Sequence, residues 1–308
     1  MTSEELAWKI RRHGVEMCSR SGASHIGAIL SVADILAVLY ADFLNVRPDM
    51  PAWPERDRFV LSKGHAAAAL YACLGEMGLF PVEELMDFYQ NGSGLMGHVS
   101  HHVPGVEFST GSLGHGICAA VGMAIAAKQD KQPLRVCAVV GDGECSEGTV
   151  WEAAQLAAFF RLDNLTVIVD HNKMQSLDTC EKTLLTGTLA EKWRSFGWHT
   201  VEADGHDHSD LRRSLNDRVP GKPSLVIAHT VKGKGVPFME NDVLWHYRFP
   251  HEGWEYDWAV KALHQIRPAG VVDIYTPRGI SDPAVPDWET VGDHTLSATY
   301  HPTWRKHL

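Results

Sequence analysis

Between Arg135 and Met174 the chain reads RVCAVVGDGECSEGTVWEAAQLAAFFRLDNLTVIVDHNKM, and no other stretch constrains its fold as tightly. Arg135 to Val140 is an apolar, β-branched run of the kind that a parallel sheet buries. It stops at Gly141-Asp142-Gly143. Glu147 to Phe160 then spaces apolar residues helically, with no Gly or Pro after Gly148. Leu165 to Val169 is a second buried run, ending at Asp170-His171-Asn172. Both loops therefore lie at the carboxyl ends of parallel strands, where open α/β sheets bind ligands. Strand and helix patterns alternate after residue 110. This predicts an α/β fold: a doubly wound, mainly parallel sheet with helices on both faces. Strands are expected near 58–61, 135–140, 165–170, 198–203 and 224–229. Helices are expected near 4–20, 31–44, 65–76, 81–90, 114–129, 147–160, 188–196 and 208–217.

The two loops carry hard oxygen donors. Asp142 offers a carboxylate, Asn172 a carboxamide oxygen, and Met174 a well-placed backbone carbonyl. Mg²⁺ takes about six oxygens and usually keeps phosphate oxygens among them. These three candidate ligands, two diphosphate oxygens and a water would complete that shell. Ca²⁺ or Mn²⁺ could stand in its place. Gly141 and Gly143 allow close backbone approach to phosphate, and the following helix N-terminus adds partial positive charge. The competing reading is an ordinary strand–helix–strand unit with polar turns.

Composition bounds the partners. A net charge of −10 without a basic stripe argues against nucleic acid. No apolar run is expected to reach the ~18 residues of a membrane span. The amphipathic N-terminus lacks the apolar core and cleavage site of a signal peptide. The six cysteines show no paired metal spacing. Cys18, Cys73, Cys118 and Cys137 fall on apolar helix or strand positions and are expected to be buried, reduced thiols of a cytoplasmic protein. Ala119 to Ala127 and Ala153 to Ala158 form small-residue helices suited to close packing, in the core or at a subunit interface.

The span from Gly141-Asp142-Gly143 to Asn172 resembles the thiamine-diphosphate motif. Four further segments extend the likeness: SGASHIGAILSVADILAVLY, LSKGHAAAALYA, GLMGHVS with STGSLGHG, and VKGKGVPFMENDVLWH. In this order and spacing they resemble the N-terminal half of a transketolase, over about residues 5 to 250. The resemblance implies a diphosphate-binding (PP-type) domain over 1–250, with thiamine diphosphate and Mg²⁺ as cofactors. Residues 251–308, rich in Pro, Trp and charge, are expected to form an extended tail that contacts a partner.

By the same resemblance, His25, His65, His98 and His246 match active-site histidines. His65 and His246 also match cofactor contacts, as do Gly111, Ser112, Leu113, Gly141, Asp142, Gly143, Glu147 and Asn172. Glu147 and Glu152 match acids at the subunit interface, near the cofactor and its glutamate relay, and the resemblance implies a catalytic role for Glu152. The family usually has Pro at position 112 and Gln at 115; Ser112 and His115 are departures associated with two-chain members. Histidine suits this chemistry because an imidazole with a pKa near ~6.5 donates or accepts protons close to neutrality. His101, His102, His115 and His171 are recommended only by proximity, and His206 and His208 are expected to be solvated.

The resemblance stops short of the pyrimidine-binding domain, which in this family supplies the glutamate that activates the cofactor. The chain alone is thus expected to be catalytically incomplete. It resembles the N-terminal subunit of a split transketolase, completed by a C-terminal subunit in an α₂β₂ assembly. Together they would move a two-carbon ketol unit from a ketose to an aldose, as sugars or sugar phosphates. Alternatives are a two-chain relative of a specialised pathway passing another ketol or acyl unit, a deoxyxylulose-phosphate-synthase-like activity, or a non-enzymatic scaffold.

Overall fold

The computed structural model describes residues 1–184 and 186–275. Among them five strands, β1 (Arg58–Leu61), β2 (Val136–Gly141), β3 (Leu165–His171), β4 (His199–Asp204) and β5 (Ser224–His229), form one sheet in the order β1-β2-β3-β5-β4. All pairings are parallel. Alternate side chains serve two separate cores, because successive residues of a strand point to opposite faces. Phe59, Cys137, Val139, Ile168 and Val226 enter one core; Val60, Ala138, Val140, Val167 and Ile227 enter the other. The first core is covered by α1 (Ser3–Ser21), α2 (Ile26–Val38), α3 (Ala67–Glu76) and α8 (His208–Asn216). The second is covered by α4 (His115–Gln129), α5 (Gly148–Phe159) and α7 (Leu189–Ser195). A single helical turn, α6 (Cys180–Thr183), lies between β3 and α7. The doubly wound architecture expected from the sequence is the one observed.

Local chemistry sets the element ends. Thr2 Oγ1 accepts from Glu5 N at 3.2 Å and the Glu5 carboxylate accepts from Thr2 N at 2.9 Å, a reciprocal cap that starts α1. Gly22, at φ 69°, ends it in the left-handed conformation. α2 starts earlier than expected, at Ile26, and runs into a π-helical turn at Leu39–Phe43. Ile26–Phe43 thus forms an 18-residue stretch long and apolar enough to cross a membrane, contrary to the run lengths expected from sequence. In this fold 89% of it is buried inside the protein, as the central helix of the first core.

Three expectations need correction. The expected helix over 81–90 is only a short 3₁₀ segment, Val82–Asp87, in which Leu85 alone is buried. Cys118 is exposed on the outer side of α4, whereas the other five cysteines are buried. The domain does not end at residue 250. A further α-helix, α9 (Trp254–Gln265), buries Tyr256, Ala259, Val260 and Leu263 in the first core, and Trp8 Nε1 donates to Leu263 O at 2.7 Å. Those four positions keep helical spacing, which the Pro- and Trp-rich composition of the whole segment obscured. The compact unit spans Met1–Asp273. Residues 276–308, the rest of the expected tail, lie outside the described residues.

Leu263 is fully buried. Leu263→Ala is expected to cost about 2–5 kcal/mol of stability, the usual range for a buried leucine truncation. Chemical denaturation checks this, and an unchanged midpoint would mean that α9 is an appendage and not part of the core.

Candidate active site

Four loops meet at the carboxyl ends of β1, β2 and β3, and each delivers a histidine expected from the sequence. His25 precedes α2 at φ 75°, a left-handed conformation that costs a non-glycine residue about 1–3 kcal/mol. Its N–H donates to His246 O at 3.0 Å, which joins the first loop to the last. His65 follows β1 on a 3₁₀ turn starting at Gly64. A Cβ on Gly64 would lie 2.5 Å from the Thr110 carbonyl carbon, so only glycine lets the two loops touch. His25 is the hub: its ring lies 5.1 Å from His65, 5.8 Å from His98 and 5.1 Å from His246. A fifth ring, Tyr247, stands 6.0 Å from His25 and 4.7 Å from His246, and no sequence expectation included it.

Beneath the histidines lie two lysines that no motif singled out. Lys63 and Lys232 are each 1% exposed. Lys63 Nζ pairs with Asp170, whose carboxylate also accepts from Ser31 Oγ at 2.7 Å and from Thr230 Oγ1. Burial opposes the Asp170 charge, yet Lys63 and these hydroxyls hold its pKa below the usual carboxylate range. Lys232 Nζ donates to His246 Nδ1 at 2.9 Å and to the carbonyls of Met174 and Gln175 at 3.4 Å each. Burial and repulsion by Lys63 bring Lys232 down to about 8. With Nδ1 accepting, the His246 ring carries its proton on Nε2.

The imidazoles of His25, His65 and His246 are neutral. Burial, then His98 and the two lysines, bring His25 down to about 4. Burial, Lys232, His25 and Lys63 bring His246 down to about 2. His65 is lowered well below its ordinary value by burial, then by Lys63 and the neighbouring histidines. A site with two buried ammonium groups and histidines kept neutral around them is electrostatically prepared for an anion. His25 Nδ1 is buried without a hydrogen-bond partner among the described residues, a cost of about 1–3 kcal/mol that points to a missing ligand.

The expected metal ligands converge beside the lysines. Ser31 Oγ accepts from Asn172 Nδ2 at 3.4 Å, which turns the amide so that Oδ1 faces Met174 N at 3.2 Å. Asp142 Oδ2 accepts from Lys173 N and, at 3.0 Å, from His171 Nδ1. His171, marked only by proximity in sequence, thus orients a candidate ligand. Among the described residues no three His, Cys, Asp or Glu side chains form a metal cluster. That agrees with a donor set of one carboxylate, one amide and one carbonyl, with the remaining oxygens coming from a diphosphate. The chemistry of these residues fits thiamine diphosphate with Mg²⁺. The cofactor would contact Lys63 and Lys232 through phosphate, and Asp142, Asn172 and the Met174 carbonyl through the metal.

Glu144, buried behind the loop, accepts from Ser62 Oγ at 2.5 Å, Gly114 N at 2.8 Å and Gly141 N at 3.0 Å. Burial raises its pKa against these hydrogen bonds. It ties the Gly141–Gly143 loop to the Gly111–Leu113 loop, and a Cβ on Gly111 would lie 3.3 Å from the His98 ring. Ser112 and Glu147 are exposed nearby, each flanking Gly114 in sequence or space. Glu152 is not brought to the histidines. It lies on the exposed side of α5, where its charge acts on Cys118 of α4. The rings of His101 and His102 lie 4.2 Å apart, tilted by 37°, on a surface loop, and His115 is exposed at the start of α4.

His206 and His208 are not solvated as expected. Both bond Asp34, at 2.6 and 3.1 Å, together with Arg11 Nη1 at 3.0 Å. His206 Nε2 also accepts from Val231 N at 2.8 Å, which fixes the peptide before Lys232. Asp34 is held well below the usual range by Arg11 and both histidines, against its burial. The two histidines lie 172 and 174 positions from Asp34 in sequence, so no local pattern announced the contacts.

Acid should test the neutral histidines. Below about pH 6.5 an unfolded chain protonates imidazoles that the folded site keeps neutral, to about 4 at His25 and about 2 at His246. The unfolded state then binds more protons, so this contribution to stability is intact above about 6.5 and declines as pH falls. The melting temperature of the wild-type chain should therefore drop more steeply between about pH 7 and about pH 5 than that of a His25→Asn/His246→Gln double variant. Parallel profiles would contradict the assignment.

Comparison with known proteins supports the same conclusion. The family model for the transketolase thiamine-diphosphate-binding domain matches residues 2–247. The chain is 40% identical over 266 residues to an apulose-4-phosphate transketolase subunit of Phocaeicola vulgatus, covering 86% of this chain and 94% of that one. It is 40% identical over 250 residues to the 6-deoxy-6-sulfo-D-fructose transketolase subunit SqwG of Clostridium sp., covering 80% and 91%. Among solved structures, Campylobacter jejuni transketolase superposes with a TM-score of 0.79 at 32% identity. A Pichia stipitis transketolase variant does so at 0.79 and 31%. The chain spans only 42% and 40% of those two chains while 85% of it is covered. With the family model over most of its length and the histidine, lysine and loop geometry in place, the chain belongs to the transketolase family and carries its thiamine-diphosphate-binding domain.

Proposed function

We propose that this chain is the diphosphate-binding half of a two-chain transketolase. It would transfer a two-carbon ketol unit from a ketose to an aldose, together with a C-terminal subunit bearing the pyrimidine domain. The carrying observation is a near-complete overlap with relatives that are themselves named as transketolase subunits, covering 91–94% of two of them, beside partial overlap with longer transketolases. An α₂β₂ complex follows if two partners each complete one of two equivalent sites. The outward faces of α4 and α5 offer a contact surface: Cys118, Gly122, Leu156 and Phe159 are all exposed, Phe159 at 77%. Glu152 lies on this surface and could reach a cofactor only across such an interface. We place the complex in the cytoplasm, in keeping with six free cysteines.

When bound, thiamine diphosphate would supply the electron sink for cleavage of the bond beside the ketose carbonyl. The residues of this chain do the rest. Asp142, Asn172 and the Met174 carbonyl would hold Mg²⁺. Lys63 and Lys232 neutralise diphosphate charge. His246 presents Nε2–H as a donor because Lys232 occupies Nδ1. Neutral His25 and His65 exchange hydrogen bonds with the sugar carbonyl and hydroxyls, and His98, on the exposed rim, relays protons with solvent. Names of the relatives (apulose 4-phosphate, 6-deoxy-6-sulfofructose) favour a second possibility, that the ketose belongs to a specialised sugar pathway.

Calorimetry of thiamine diphosphate binding with Mg²⁺ tests the first part of this proposal. Asp142→Ala and Lys232→Met are each expected to weaken binding by about 100-fold, at or beyond the range typical of supporting residues. Affinity unchanged in both would refute the assigned cradle.

A further inference from the structure

We infer that Tyr247 is this chain's contact with the hydroxylated carbon chain of the aldose half of the substrate. The inference rests on the transketolase reading and deepens it. The residue is 64% exposed, yet its ring stands against His25 and His246 at the mouth of the histidine cluster. Everything around it is fixed. Asp242 Oδ1 accepts from Leu244 N at 2.9 Å, and Trp245, 4% exposed, donates from Nε1 to Phe238 O at 3.0 Å. His246 O holds His25 N, and Tyr247 N donates to Leu244 O at 3.3 Å. Arg248, the neighbouring charge, is committed elsewhere: it pairs with Glu255 at 2.5 Å and lies over the Trp245 ring at 5.2 Å. The turn therefore presents one side chain outward, and its phenol has no hydrogen-bond partner among the described residues.

The chemistry of that side chain matches a sugar. The electron-rich face of the ring attracts the polarised C–H groups of a polyol chain, and the phenol donates to or accepts from its hydroxyls. A tyrosine does this at low entropic cost because it has few rotatable bonds. The part-buried His25, His65 and His246 reach the two carbons that are transferred. Tyr247, on the rim beside them, lies where the remaining carbons must extend towards solvent. The leaving aldose of the donor and the incoming acceptor occupy the same position, so one residue reads both.

The test compares acceptors in the reconstituted two-chain complex with thiamine diphosphate and Mg²⁺. Hydroxypyruvate is the common donor, because it brings the ketol unit with no polyol chain. Glycolaldehyde, with two carbons, is set against D-glyceraldehyde and D-ribose 5-phosphate. Wild type should favour the longer aldoses. Tyr247→Ala should lower the kcat/KM ratio of long to short acceptor about tenfold, mainly through KM, and Tyr247→Phe by less. An equal loss for all acceptors would show that Tyr247 supports the histidines and does not read the sugar, overturning the inference. Loss of the complex in native mass spectrometry would make it an interface residue and overturn the inference equally. A wild-type complex indifferent to acceptor length also overturns it. A wild-type complex that transfers ketol to no acceptor refutes the transketolase reading itself, and is recognised without any variant.

Discussion

Asp170 is the contact on which the rest of the site depends. This carboxylate, at 0% exposure, sits at the end of the central strand β3. It receives Lys63 from the loop after β1, Ser31 from α2 and Thr230 from the loop after β5. Its backbone carbonyl accepts from Asp142 N at 3.3 Å. Loops from four separate parts of the chain are thus brought to one point. Removing one partner of such a buried ion pair leaves an uncompensated charge and costs about 3–5 kcal/mol. The pair also serves function directly, since Ser31 passes the orientation on to Asn172.

An anion site follows from this arrangement. Lys63 is matched by Asp170, whereas the hydrogen bonds of Lys232 among the described residues go to two carbonyls and a neutral imidazole. Burial, together with the positive charge of the lysines, explains why Lys232, His25, His65 and His246 are depressed. A diphosphate–metal unit would relieve both features at once, bringing negative charge to the lysines and a divalent cation to Asp142, Asn172 and Met174. The histidines would then remain hydrogen-bonding groups at neutral pH, with proton exchange assigned to the rim.

Much of this was legible from residues in order. The two apolar runs at 135–140 and 165–169 define β2 and β3, and the loops after them hold Asp142 and Asn172 where an α/β sheet places its ligands. The four motif histidines converge as the resemblance implied. What escaped was long-range. Lys63 and Lys232 look like ordinary basic residues until burial is known. Asp34, Arg11, His206 and His208 have no local signature, and His206 reaches the site only through Val231 N. The helix at Trp254–Gln265 was hidden because a composition average over a long segment suppresses four correctly spaced apolar residues. Cys118 was misplaced because helical spacing alone does not tell which side of a small-residue helix is covered.

On the proposed function, this chain builds the diphosphate half of an active site and needs a second chain for the other half. Native mass spectrometry tests it most directly: the chain alone, then with its C-terminal partner, each with thiamine diphosphate and Mg²⁺. The expected result is a cofactor-loaded heterotetramer that appears only with the partner. A cofactor-loaded, ketol-transferring homo-oligomer of this chain alone would contradict it.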